Sequence, residues 1–182
     1  MVSQAQKPTV CSNTSSPYTE LTKYLGNLLA DDSFSDVTMK SVEGIEFRAH
    51  KMILASRSEV LRAHFQYNMK ENVVETPWEA ELLREVLTFI YTDMAPRVDH
   101  APDRLLVAAD YYQLMRLKSL CEEALCKRLT VENAIATLQL AELYSANSLS
   151  QSTLEFIKNG RAVLIIKTEG WANIKSLELT KG

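Results

Sequence analysis

The sequence has few of the residues from which catalytic and ligand-binding loops are usually built. Its five glycines stand at positions 26, 44, 160, 170 and 182, so neither a G-x-G-x-x-G phosphate loop nor a G-x-S-x-G nucleophile elbow can form. The three histidines are at least 14 residues apart, and no H-E-x-x-H or C-x-x-C motif accompanies them. We therefore expect no metal site, no cofactor and no enzymatic activity.

Long apolar runs and basic clusters are also missing. No uninterrupted apolar run is longer than five residues, the length reached at 105–109 and 162–166, far below the roughly 18 that a membrane-spanning helix requires. The 20 basic residues are scattered among 23 acidic ones, for a net charge of −3. Neither nucleic acid nor a membrane is therefore expected as a partner.

Cysteine is scarce as well. The chain has three cysteines, which cannot all pair. Cys121 and Cys126 lie five positions apart in a helical pattern, which places them about 140° apart around the helix axis. The cysteines therefore predict free thiols in a reducing, intracellular compartment.

The patterns that are present predict a mixed chain of helices and short strands. The first 16 residues are rich in Ser, Thr, Asn and Gln and are expected to form a disordered tail. Pro17 then opens a helix with one apolar stripe. The members of that stripe are Leu21, Tyr24, Leu25, Leu28 and Leu29.

Further along, two alternating segments around a Glu43-Gly44 turn predict a β-hairpin at 37–40 and 45–49. A brief strand is predicted at 73–75. Ser58 is the predicted N-cap of a helix, and the sequence TPWE at 76–79 has the pattern of a capping box with Pro77 in the first helical position. From there to about residue 159, repeated apolar stripes predict helices.

Three groups with possible chemistry have simpler structural interpretations. His50 follows the hairpin and begins a helix, so we expect a structural imidazole bonded to nearby backbone. Cys121 belongs to an apolar stripe, where a thiol packs as a small hydrophobic group. Glu122 and Glu123 are expected to be solvated on a helix surface.

The order of these elements resembles that of the BTB/POZ domain. The resemblance is carried by FSDV at 34–37, FRAHKMILASRS at 47–58 and FIYT at 89–92. Within that family, the chain is similar to the speckle-type POZ protein (MATH-BTB adaptor) branch over about residues 19–174. The segments that carry this second likeness are LTKYLGNL at 21–28, LLVAADYY at 105–112, RLK at 116–118, CEEALC at 121–126 and VENA at 131–134.

The resemblance implies an α/β fold in which a small β-sheet is flanked by a helical cluster. Residues 1–16 would form the disordered tail, 17–129 the BTB/POZ domain, 130–174 a helical 3-box or partial BACK extension, and 175–182 a flexible C-terminus. In this branch the domain homodimerises and binds the N-terminal domain of cullin-3. It thereby serves, in the nucleus or cytoplasm, as a substrate adaptor for ubiquitination and proteasomal degradation.

The same resemblance implies roles for particular residues. Cullin-3 would be contacted by Phe65, Met69 and Glu71. The dimer interface would contain Leu21, Tyr24, Leu25, Leu28 and Ile53. Asp36 and His50 would form a structural polar pair near that interface.

Several alternatives stay open. The first helix could cover its own domain, and Met69 could fold back onto the core with Glu71 in solvent. Adaptors of this branch usually carry a MATH domain ahead of the BTB domain, where only the tail is expected here. The chain could then be a scaffold or modulator that pairs with full-length MATH-BTB adaptors. Two further departures are the short segment 72–78 and Asp93, which stands where glycine is common.

Overall fold

A computed structural model describes residues 17–31, 33–68, 70, 72–159, 161–168 and 170–172, with side chains from Glu20 onward. The predicted tail 1–16 and C-terminus 175–182 lie outside these ranges. The helices and strands follow one another as α1 (Pro17–Ala30), β1 (Val37–Lys40), β2 (Glu46–Ala49), α2 (Lys51–Arg57), α3 (Glu59–Tyr67), β3 (Val73–Glu75), α4 (Ala80–Thr92), α5 (Pro102–Tyr111), α6 (Met115–Lys127), α7 (Ala134–Leu143), α8 (Asn147–Lys158) and α9 (Ala162–Ile165).

The predicted hairpin and short strand form one three-stranded sheet in the order β2-β1-β3. β1 pairs with β2 in antiparallel register, with Val37 opposite Ala49, and with β3 in parallel register, with Met39 opposite Val74. A parallel pair needs a crossover, and α2 and α3 supply it. Successive β1 residues are buried, so both faces of the central strand are covered.

The interior of the fold is built around α4. Eight of its 13 residues are buried. Six of them, including Leu83, Phe89 and Tyr91, pack with β1, α2, α5 and α6 in one large apolar cluster. Burial of such side chains stabilises the fold by about 1.5–3 kcal/mol each. Among the helices that the structure describes, none is both long and apolar enough to cross a bilayer.

Of the two predicted helix starts, one is confirmed and the other is wrong. Ser58 caps α3 as predicted, because its hydroxyl accepts a hydrogen bond from the Leu61 N–H at 3.2 Å. The predicted capping box at 76–79 is wrong, since α4 begins at Ala80. Thr76 extends the β3 pairing instead, and its N–H donates to the Lys40 carbonyl at 2.9 Å. The Glu43 carboxylate of the hairpin turn accepts from the Ala80 N–H at 2.9 Å.

The helices predicted after Thr130 are present, and two buried charges of α6 tie them to the rest. Lys118 donates to the Asp110 carboxylate at 2.6 Å and to the Tyr144 carbonyl at the end of α7. One turn later, Glu122 accepts from the Leu149 N–H in the first turn of α8 at 3.0 Å. The expectation of a solvated Glu122 is therefore wrong, because this carboxylate satisfies a helix N-terminus.

Candidate functional site

α1 packs along α4 with only one of its sides. Gly26 lies at the seam, where an added Cβ would stand 3.1 Å from Cγ2 of Thr92. Glycine therefore permits a close approach that a larger residue would prevent. Leu29, three residues further along α1, packs against the main core.

The predicted dimer residues of α1 lie on another side of the helix. At 100° per residue, positions 21, 24, 25 and 28 fall within an arc of about 100°, whose centre is turned roughly 120° from that of positions 22, 26 and 29. Leu21 and Tyr24 are 58% and 64% exposed. Leu25 and Leu28 are half-buried, and Leu28 also contacts the core. We call this surface the α1 face: Leu21, Tyr24, Leu25 and Leu28.

The fifth predicted dimer residue, Ile53, lies on α2. It is half-buried and packs against the core cluster, while its neighbour Met52 is 80% exposed. Ile53 therefore contributes to its own domain's packing, whereas Met52 exposes most of its side chain to solvent.

The predicted polar pair, Asp36 and His50, flanks the hairpin on the way to α2. The Asp36 carboxylate accepts from the Lys51 N–H at 2.7 Å and so caps α2 from outside the helix, because the His50 side chain makes no cap bond. The His50 ring instead meets the Tyr91 hydroxyl through Nδ1 at 2.8 Å and the Ser33 carbonyl through Nε2 at 3.0 Å. Both residues thus have structural bonds, each with its own partners.

These contacts select one tautomer of a neutral His50 ring. The Ser33 carbonyl can only accept, so Nε2 carries the hydrogen and the neutral ring offers Nδ1 as an acceptor. The Tyr91 hydroxyl then donates to Nδ1 while it accepts from the His50 backbone N–H at 3.0 Å. Burial raises the pKa of Tyr91 to about 12, which keeps this hydroxyl protonated.

Tyr91 is a structural partner of His50 that the sequence did not single out. It appeared only as one letter of the FIYT segment, on the inward side of a helix where any large residue would fit the apolar pattern. The signal that could have found it is polarity. A tyrosine in a fully buried stripe needs a hydrogen-bond partner for its hydroxyl. The predicted structural imidazole of His50 was a candidate for that partner.

The predicted cullin-binding residues lie around the end of α3. Phe65 is 8% exposed and belongs to the core, with Lys51 Nζ 5.9 Å from its ring centroid. It therefore supports the end of α3 from beneath and exposes little of its ring to a partner. Tyr67, two residues on, is 88% exposed. Met69 and Glu71 lie outside the described residues.

Side chains suited to metal binding do not gather in the part of the chain that the structure describes. No three of its His, Cys, Asp and Glu side chains are placed to hold an ion. Cys121 and Cys126 are both free thiols. Burial, reinforced by the nearby carboxylates of Glu122 and Glu85, raises the pKa of Cys121 to about 12, so this thiol is a packing group at neutral pH.

Comparisons with known proteins agree on the fold. The family model of the BTB/POZ domain matches residues 25–129 of this chain. The structure is similar to the BTB domain of zebrafish PATZ1, with a TM-score of 0.53 and 22% sequence identity, over 68% of this chain and 99% of that one. This likeness concerns the fold, and it confirms the predicted α/β class. BTB domains are protein–protein interaction modules, and on this evidence the chain belongs to the BTB/POZ domain family.

Proposed function

We propose that this chain is a homodimeric adaptor of a cullin-3 RING ubiquitin ligase. Two copies would associate through the α1 face, and each would bind the N-terminal domain of cullin-3 to bring substrates to ubiquitination and proteasomal degradation. The observation that carries the proposal is the α1 face itself. Leu21 and Tyr24 are 58% and 64% exposed on a helix that is already docked by its other side, as expected of an interface helix in an isolated copy.

The association can be tested by placing a charge on the α1 face. Leu21→Asp would bury an unpaired carboxylate in an apolar dimer core, twice in a twofold interface. We expect the dimer dissociation constant to rise at least 100-fold in sedimentation-velocity dilution series. Val42→Asp is the matched control, because Val42 is 60% exposed in the hairpin turn. A wild-type chain that stays monomeric at high micromolar concentration would refute the proposal.

The cullin contact is proposed from the sequence Met69-Lys70-Glu71, which follows α3. A methionine can repack against an irregular groove, and the neighbouring carboxylate can accept hydrogen bonds that fix the orientation of the partner. Phe65, beneath the end of α3, would support this segment.

Calorimetric titration with the cullin-3 N-terminal domain tests this contact. Truncating buried interface anchors typically costs 2 kcal/mol or more, so Met69→Ala/Glu71→Ala should weaken binding about 30-fold or more. Lys70→Ala lies between the two and is the control, because Lys70 is exposed. Equal affinities for the double variant and the wild type would remove the proposed contact.

A second candidate, a scaffold or modulator that pairs with full-length MATH-BTB adaptors, would use the same surface. The α1 face is apolar, so it carries no charge pattern that would restrict it to identical copies. Mixing the chain with a tagged MATH-BTB adaptor at low micromolar concentration should then yield mixed dimers that Leu21→Asp abolishes. Mixed dimers without homodimers would favour this candidate over the first.

A further inference from the structure

β2 forms one edge of the three-stranded sheet. The Ser41 N–H donates to the Ile45 carbonyl at 2.9 Å, so Ile45 and every second residue after it direct their main-chain groups towards β1. Glu46 and Arg48 direct theirs the other way, and both residues are exposed. No backbone hydrogen bond reaches these outward groups from the described part of the chain.

The β2 edge is open to pairing with another strand. Proline and β-bulges are two common features that block pairing at a sheet edge. β2, with the sequence EFRA, has neither, and it pairs with β1 in regular register over all four residues. Its outer edge therefore presents two donors and two acceptors in an extended row, with the two residues about 7 Å apart.

A groove of about 410 Å³ lies beside this edge, lined by β2, by the C-terminal half of α1 and by α4. Ile45 is 48% exposed, and Phe47 is half-buried. The apolar side chains that line the groove are those of Leu29, Ala30, Ile45, Phe47 and Leu87. We call the outer edge of β2 together with this groove the β2 groove. It offers apolar contacts to alternate side chains of a strand bound at the edge.

Arg84 of α4 adds a positive charge to the β2 groove. Its guanidinium lies over the Phe47 ring, 5.0 Å from the ring centroid. No carboxylate among the described residues forms an ion pair with it. The other charged residues that line the groove are Arg48 and Glu46, so basic groups outnumber acidic ones. This charge favours a strand that carries a carboxylate.

We propose that the β2 groove binds an extended acidic peptide of a partner protein as a fourth strand of the sheet. Main-chain hydrogen bonds to Glu46 and Arg48 align the peptide, and its apolar side chains pack on Ile45 and Phe47. A carboxylate of the peptide pairs with Arg84. The site is distinct from the α1 face and from residues 69–71, so the inference goes beyond the proposed adaptor function and does not depend on it.

A second copy of the chain fits this edge less well than a peptide does. Two β2 strands paired about a twofold axis would place Phe47 opposite Phe47, because the outward bonding groups belong to Glu46 and Arg48. Arg84 lies over the Phe47 ring, so the two Arg84 guanidiniums would approach each other. Like charges brought together in this way oppose association, whereas an acidic peptide meets the same arginine with opposite charge.

Fluorescence anisotropy with two dye-labelled ten-residue peptides tests the proposal. One peptide alternates valine and glutamate, and the other alternates valine and lysine. We expect the wild type to bind the glutamate peptide about 10-fold or more tightly than the lysine peptide, and Arg84→Glu to reverse this preference. No saturable binding of the glutamate peptide up to about 1 mM, or an unchanged preference in Arg84→Glu, would overturn the proposal.

Glu46→Pro and Glu46→Ala separate main-chain pairing from side-chain contacts. Both variants lose the carboxylate, but only proline also removes the outward N–H. Proline is tolerated at the first residue of an edge strand, so both variants should fold. We expect Glu46→Pro to bind the glutamate peptide about 10-fold more weakly than Glu46→Ala. Equal affinities in the two variants would show that the peptide does not pair with the edge.

Amide hydrogen exchange locates the glutamate peptide on the wild-type chain without any substitution. The amides of Glu46 and Arg48 should become protected when the peptide is added. Those of Val73 and Glu75, which point outward from the opposite edge of the sheet, should not change. Protection at β3 instead, or at neither edge, would overturn the proposal. Self-association that Glu46→Pro abolishes and Leu21→Asp leaves intact would assign the edge to a second copy and would also overturn it.

Discussion

α1 and α4 are neighbouring helices of similar length with opposite surroundings. α4 buries eight of its 13 residues, whereas no side chain of α1 from Glu20 to Ala30 is fully buried. Both helices carry apolar stripes in the sequence, and the two meet at Gly26 and Thr92. Sequence periodicity therefore identifies the apolar side of a helix. Whether the same chain covers that side depends on the tertiary fold.

The largest effect is expected from a cavity in α4. Phe89 is 1% exposed, so Phe89→Ala should lower the free energy of unfolding by about 3–5 kcal/mol. Leu21→Ala, on α1, should change the unfolding of the isolated monomer by less than about 0.5 kcal/mol. Urea denaturation of both variants at concentrations below dimer formation checks the contrast. Equal losses would mean that α1 is as much a part of the core as α4.

A smaller effect is expected at the seam between the two helices. Gly26→Leu would place a side chain against Thr92, where even a Cβ has only 3.1 Å, and overpacking of this kind costs about 1–3 kcal/mol. Because α1 has few other buried contacts, its amides should exchange hydrogen faster while those of α4 stay protected. Asn27→Leu is the control, since Asn27 is exposed on the same helix. Unchanged exchange in Gly26→Leu would show that α1 does not depend on this contact.

Much of this arrangement could be predicted from local sequence signals. The hairpin, the Ser58 cap and the helix α1 depend on neighbouring residues, and the structure confirms them. The capping box at 76–79 could not be judged locally, because the pairing of Thr76 with Lys40 and the cap from Glu43 come from residues more than 30 positions away.

Side chains whose partners are distant in sequence were missed for the same reason. Glu122 was predicted to be solvated from its local pattern. Its carboxylate instead accepts from the N–H of Leu149 in α8, 27 residues away. The contacts proposed for Met69 and Glu71 would be with a partner molecule, which no intrachain pattern specifies.

A third prediction uses the one buried hydroxyl of α4. Burial raises the pKa of Tyr91 to about 12, while an unfolded tyrosine titrates near 10. The stabilisation by the neutral phenol is complete below pH 10 and is lost as the pH rises towards 12, because the unfolded state then loses its proton first. By pH 11 the loss should be about 1 kcal/mol.

Tyr91→Phe isolates this contribution from the other groups that titrate in alkali. The variant should be less stable than the wild type at pH 8, since His50 loses a hydrogen-bond partner. The difference in unfolding free energy between the two should then shrink by about 1 kcal/mol between pH 8 and pH 11. A difference that stays constant with pH would show that the hydroxyl is not desolvated in the fold.

The smallest effect is expected where α4 emerges from the core, at Asp93. This residue has a φ of 59°, and its carboxylate holds Arg57 and Arg116, each at 2.5 Å. Both arginines are substantially exposed, so each pair should contribute less than about 1 kcal/mol.

Asp93→Gly loses the pairs but relieves the backbone, and its unfolding free energy should stay within about 1 kcal/mol of the wild type. Asp93→Ala loses the pairs without that relief and should be about 1 kcal/mol less stable than Asp93→Gly. Denaturation of the three proteins at low and high salt checks both effects, because salt should lower the stability of the wild type relative to Asp93→Gly and leave the gap between alanine and glycine unchanged.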